Sequence, residues 1–248
     1  KCIKLVHSMS NKVLFIFEGE KTEEQIVFNL QKFFLNENTT VKCVYGAEIY
    51  QIYKEIVEDD DLDTFNLIKE RNDKNREILE SYNRDDFAEI YMFFDYDGHS
   101  TLADDTKLTE LLTFFKEETE KGKLYISYPM VESLKHICNY ETFKEQTTEC
   151  KNNIGYKGVV AKETLKDLIN FNSYNLVTWK QLVNIHLRKM NYITNNSFTL
   201  PSDLTPQLFI FSKQLEKYII PYSTVAVLSA FPIFLHDYYG NEEIKKRI

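Results

Sequence analysis

The chain has 248 residues, of which 43% are hydrophobic and 27% charged, and its net charge is -8. This composition is that of an ordinary globular protein, long enough for one large domain or for a domain with a sizeable extension. The acidic balance excludes a generally basic nucleic-acid-binding coat, while leaving room for a local basic cleft or for carboxylates that work through bound metal ions.

KVLFIF, near the start, is short, apolar and β-rich, and reads as a buried strand. It runs directly into Glu18-Gly19-Glu20. Thr22-Glu-Glu-Gln then has the form of a capping box that opens a helix over residues 23–35, with Ile26, Val27, Leu30, Phe33 and Phe34 facing a sheet. TTVKCVYG predicts a second strand and EIYQIYKEIVED a second amphipathic helix. Residues 58–86 are highly charged with a sparse apolar pattern (Leu62, Phe65, Ile68), which predicts a peripheral helical insertion with a solvated face. AEIYMFF is the next strand and ends in Asp95-Tyr96-Asp97-Gly98-His99. A helix over residues 104–120, a strand KLYISYP and a helix beginning at VESLKHICNY follow. The alternation predicts an α/β layered fold with a mainly parallel sheet. Beyond residue 141, amphipathic segments near 161–171, 174–191, 203–219 and 223–239 predict a mainly α-helical extension over residues 141–248, without internal repeats.

The chemistry is concentrated at the strand ends, where open parallel sheets bind their ligands. In extended backbone, residues i and i+2 point the same way, so Glu18/Glu20 and Asp95/Asp97 are each expected to send two carboxylates into one pocket. Carboxylates gathered without a partner repel and raise one another's pKa, so a shared pocket calls for a cation. Hard oxygen ligands select Mg²⁺ or Mn²⁺, ions suited to phosphate-ester chemistry. Glu20 has a second reading, as a carboxylate complementing the helix N-terminus, the part expected of Glu23 and Glu24. Gly19 is expected to let the backbone turn as it leaves the strand. Lys21 and His99 lie close enough to reach the pocket, but also suit ordinary surface positions. Glu132 and His136 are four apart and would share a helix face.

Strand-Glu-Gly, a helix, and later strand-Asp-x-Asp resemble the Toprim domain of topoisomerases, bacterial primases and overcoming-lysogenization-defect nucleases. The form Glu-Gly-Glu-Lys-Thr-Glu is similar to stand-alone Toprim-like proteins of bacterial anti-phage systems, the RloB-like group and ATPase-paired effectors among them. The resemblance covers residues 12–140 and implies a catalytic domain over 1–140. It implies that Glu18 is a metal ligand or general base, that Asp95 and Asp97 bind metal, and that Glu132, after the next strand, joins them. The implied activity is a Mg²⁺- or Mn²⁺-dependent nuclease cleaving DNA, tRNA or other RNA, with an ATPase sensor subunit and a homodimer as implied partners. Two other readings stand beside it. FFDYDG also resembles the first motif of haloacid-dehalogenase-type phosphatases, with Asp95 as nucleophile and Asp97 as acid, but that reading leaves Glu18-Gly19 unexplained. A non-catalytic metal-binding sensor or adaptor would instead dock a partner through the aromatic segment 203–239.

No apolar run reaches the ~18 residues of a membrane span. The nearest, residues 219–235, is interrupted by Pro221, Ser223, Thr224, Ser229 and Pro232. The chain shows no secretory signal pattern, so a cytoplasmic location is expected. Cys2, Cys43, Cys138 and Cys150 form no CxxC pair and no zinc-like spacing, and are expected to be reduced, mostly buried thiols.

Overall fold

The computed structural model describes residues 12–35, 40–59 and 61–248; Cys2 and the first residue of the TTVKCVYG strand lie outside them. The centre is a five-stranded sheet: β1 (Lys12–Phe17), β2 (Thr40–Val44), β3 (Phe87–Asp95), the two-residue β4 (Lys116–Glu117) and β5 (Gly122–Ser127). Their order is β2-β1-β3-β5-β4, parallel except for β4. The expected α/β fold with a mainly parallel sheet is therefore present.

Connections run in opposite senses from the middle of this sheet. From β1 the chain passes through α1 (Lys21–Phe33) to β2 on one side. From β3 it passes through α5 (Asp105–Phe114) to β5 on the other. Between β2 and β3 stand α2 (Ile49–Glu58), α3 (Thr64–Arg71) and α4 (Asp73–Ile78). Right-handed crossovers place α1 on one face of the sheet and α2 and α5 on the other. The chain thus leaves the adjacent strands β1 and β3 in opposite directions, and their carboxyl ends form a topological switch point, where such sheets open a crevice.

Both sheet faces are apolar, as strands covered on both sides require. Phe15, Phe17, Tyr91, Phe93 and Tyr125 lie on one face, and Leu14, Ile16, Ile90, Met92, Phe94, Leu124 and Ile126 alternate with them. The aromatic face is covered by α10 (Ala230–Tyr239). Phe231 stacks on Phe93 at 4.8 Å with 9° between the planes. Phe234 meets Phe15 edge-on at 5.3 Å and Tyr91 at 4.8 Å. Residues from both sides of position 140 accordingly share one hydrophobic core.

The C-terminal half also departs from a purely helical pattern. It contains α6 (Tyr156–Glu163), α7 (Leu176–Asn195), α8 (Gln207–Gln214), α9 (Ile220–Tyr222) and α11 (Asn241–Arg247), but also β6 (Thr147–Glu149) paired with β7 (Thr224–Ala226). The segment expected to be helical over 161–171 is the end of α6, a 3₁₀ turn at Lys166–Leu168 and the start of another at Phe171–Ser173. Likewise the helix expected from residue 131 is a single 3₁₀ turn, Val131–Leu134. The helix expected over 104–120 stops at Phe114, because the chain must reverse into the short β4–β5 hairpin.

The segment 58–86 is more than a peripheral insertion. Asp63 caps α3 by accepting the N–H groups of Phe65 and Asn66, and Phe65, Ile68 and Leu79 enter the core. Asn75, buried, takes the Val44 N–H on its Oδ1 and donates its Nδ2 to the carbonyls of Val44 and Ile68. It closes the open edge of β2, the liability of every terminal strand. Among the described residues, no helix is long and apolar enough to cross a membrane.

A carboxylate cleft at the switch point

Glu18 follows β1 directly, and its backbone continues the ladder: its N–H donates to Phe93 O at 3.1 Å, and its carbonyl accepts from Gly46 at 3.0 Å. Its side chain turns toward β3, where Oε2 accepts the Asp95 N–H at 3.0 Å. Asp95 is the last residue of β3 and is buried. Asp97 follows in the left-handed region, φ 40°, a conformation an Asp tolerates better than most residues. Ser100 N–H on the Asp97 carbonyl and Asp97 N–H on Pro129 O hold that turn. Gly98 is required beside it: a Cβ there would stand 2.4 Å from the Tyr96 ring and 3.0 Å from Cys150 O.

These elements bring Glu18, Asp95 and Asp97 together, one carboxylate oxygen of each lying within 4.8 Å of the others. They line a cleft of about 540 Å³ with Glu20, Lys21, Glu23, Glu48, Met130 and Lys157 among its other walls. Glu132, expected to join them, is outside this group and does not line the cleft, although its charge acts on Asp95 and Asp97. It is buried on the 3₁₀ turn, with Oε1 3.5 Å from Lys157 Nζ and Oε2 without a partner. Asp97 Oδ1 is likewise buried and unpartnered.

Burial dominates the electrostatics, and the crowding of like charges adds to it. Burial pushes the Glu18 carboxyl up to about 8, the Asp95 N–H opposes it, and the charges of Asp97, Glu23 and Glu48 add to the rise. Asp95 is raised well above the usual carboxylate range by burial, then by Glu18 and Asp97. Asp97 is pushed up to about 6, chiefly by burial; His99 opposes the rise and the charge of Glu48 adds to it. A cation among them would relieve this repulsion and satisfy the free oxygens, so the donor set fits a hard, oxygen-ligated ion.

Glu20 behaves differently from its neighbour two residues earlier. Its carboxylate is engaged by Lys74 of α4, at the rim of the cleft, while Glu18 faces inward. The i, i+2 rule fails because the strand has already ended: α1 begins at Lys21, with Glu20 as its N-cap residue. Asp95 and Asp97 do converge, but through a left-handed turn. The expected capping box at Thr22 is absent too, since Thr22 lies inside α1. Gly19 is not left-handed. Its N–H donates to Glu23 Oε1 at 3.2 Å, and a Cβ would stand 3.2 Å from that oxygen.

Three cleft residues had no signal in the sequence. Glu48 comes from the start of α2, where it accepts from Ser100 Oγ. Glu23 is buried at the cleft as well as bonded to Gly19. Lys157 arrives from α6, far along the chain, and nothing in its local pattern marks it. His99 is exposed beside Asp97, and both line an adjoining cavity of about 340 Å³ formed largely by residues 149–158. His136 does not share a face with Glu132: its ring is bound by Tyr156 and Glu163 instead.

Comparison with protein-family models, with curated proteins and with solved structures found no match.

Proposed function

We propose that this chain is a divalent-metal-dependent phosphodiesterase acting on nucleic acid, a nuclease that uses Mg²⁺ or Mn²⁺. The observation that supports it most is the convergence of Glu18, Asp95 and Asp97 at the switch point, with buried oxygens of Asp97 and Glu132 left without partners. Their order along the chain is that of the Toprim pattern. The phosphatase reading accounts for Asp95 and Asp97 but gives Glu18 no part, although its carboxylate bonds to the Asp95 backbone.

In this reading Glu18, Asp95 and Asp97 hold the ion, and Glu132 adds negative charge behind them. The bound ion supplies Lewis-acid polarisation of a phosphoryl oxygen and offsets the charge that develops on it. Glu18, with one carboxylate oxygen held by the Asp95 N–H and its other edge open to the cleft, is the group placed to take a proton from the attacking water. Lys157 and His99, at the side where the second cavity opens, meet the negative phosphate chain and let it approach an otherwise acidic site. The ATPase sensor and the second copy of the chain rest on the resemblance alone.

The test is cleavage of plasmid, single-stranded DNA and total tRNA by the purified chain with Mg²⁺ or Mn²⁺, wild type against Asp95→Asn. Loss of at least about a thousandfold in rate, about 4 kcal/mol in the barrier, is expected with an unchanged circular dichroism spectrum. Equal activity in both proteins overturns the reading. A metal that raises the melting temperature of the wild type without any cleavage points instead to a metal-binding adaptor.

A further inference from the structure

Outside the carboxylate cleft, a second group of ligand-type side chains is drawn together by the C-terminal half. His136 and Cys138 follow the 3₁₀ turn, and Glu163 ends α6. Nε2 of His136 lies 3.1 Å from Glu163 Oε2, and the Cys138 thiol lies 3.6 Å from the same oxygen. All three donor atoms are within 4.8 Å of one another.

The surroundings hold these groups in place. Gln146 grips the short loop by both ends of its amide: Oε1 accepts the Cys138 N–H at 3.2 Å, and Nε2 donates to His136 O at 2.8 Å. Leu165 N–H donates to the carbonyl of Ile137 between them, tying the loop to the residues just after Glu163. The His136 ring is buried, and its Nδ1 sits 2.9 Å from the Tyr156 hydroxyl. Without an ion Nε2 shares its proton with Glu163 Oε2; with Nδ1–H donated to the Tyr156 hydroxyl instead, the Nε2 lone pair is freed for an ion held jointly with Glu163 and Cys138, the arrangement in which histidines bind metals. A merely satisfied buried histidine would need Tyr156 and Glu163, but it would have no use for an exposed thiol aimed at the same oxygen.

We propose that His136 Nε2, Cys138 Sγ and Glu163 form a site for a borderline divalent cation, Zn²⁺, with its fourth position open to solvent. Two of the three donors are nitrogen and sulfur, which select Zn²⁺ over the hard ions suited to the carboxylate cleft. On binding, the Cys138 thiol gives up its proton to solvent and the thiolate takes the ion. The ion would brace α6 at its far end. Tyr156 and Lys157 open that same helix, and Lys157 reaches Glu132 at the cleft.

The test uses the full chain, stripped with a chelator and titrated with Co²⁺ and then Zn²⁺. One Co²⁺ per chain with a thiolate-to-metal charge-transfer band, displaced by Zn²⁺ but not by excess Mg²⁺, is expected. Cys138→Ser should abolish the band, and Glu163→Gln, at an exposed position, should weaken Zn²⁺ binding without harming the fold. Tyr156→Phe should weaken it by about tenfold, as the loss of an orienting partner does. A Glu18→Gln/Asp95→Asn double variant should keep the band, separating this site from the carboxylate cleft. Absence of a thiolate band in the wild type overturns the proposal, as does Zn²⁺ binding that is equally tight in Cys138→Ser and Glu163→Gln.

Discussion

Replacing Glu18 by Gln removes one charge from the cleft yet keeps an oxygen that can accept the Asp95 N–H, bonded at 3.0 Å in the parent chain. Without metal, burial and the neighbouring carboxylates raise the Glu18 carboxyl from 4.5 to about 8. Between those two values the folded chain binds more protons than the unfolded one, so this group's contribution to stability is lost as pH rises from the lower to the higher. At 1.36 kcal/mol per pH unit, the full interval from 4.5 to about 8 corresponds to about 5 kcal/mol. Glu18 keeps an edge in the cleft, where water and neighbouring charges relax on ionisation, which reduces the working figure to about 2–3 kcal/mol. For a chain of this length that amounts to about 5–10 °C in melting temperature. Thermal melts without divalent ions should therefore place wild type and Glu18→Gln together at about pH 4.5. The two should separate by about 5–10 °C at about pH 9, with the variant the more stable. Saturating Mg²⁺ at the higher pH should close the gap by stabilising the wild type alone. Melting temperatures that run parallel over the whole range would refute the crowding from which the metal assignment is argued.

Asn75→Ala should cost about 1–3 kcal/mol in urea unfolding, because it strips the Asn75 partner from the Val44 N–H and the Ile68 carbonyl, while Asn72 Nδ2 still donates to Val44 O; a loss below about 0.5 kcal/mol would show that 58–86 is dispensable for the sheet. Gly98→Ala should destabilise by about 1–3 kcal/mol, since the added methyl meets the Tyr96 ring at 2.4 Å. Gly158→Ala, which meets nothing within 4 Å in α6, should instead be neutral or stabilise by about 0.5–1 kcal/mol; equal effects at the two glycines, read by calorimetry, would contradict the local geometry. Removing residues 141–248 should give an insoluble chain, since it strips α10 from the aromatic face of the sheet; a soluble, cooperatively melting fragment of residues 1–140 would mean the sheet folds without it.

The strands β1, β3 and β5 were legible because each is a short, continuous apolar run, and a parallel sheet covered on both faces imposes that pattern locally. The positions of Glu18, Asp95 and Asp97 followed from the same runs, since each acid sits where apolar spacing stops. What spacing could not decide was orientation beyond the strand end. Glu18 and Glu20 look equivalent in the sequence, yet one residue of helix start separates an inward carboxylate from one engaged by Lys74. The role of Gly19 was also undecidable locally, because it depends on where the Glu23 side chain folds back. Lys157, Glu48 and the His136–Cys138–Glu163 group come together only when distant segments close on one another, and no short-range period records that. The C-terminal half shows the same limit most plainly. Its amphipathic segments announce a buried face, but an amphipathic pattern carries no address. That α10 buries Phe231 and Phe234 against Phe15, Tyr91 and Phe93 was settled by packing between residues some 140–220 positions apart in the chain.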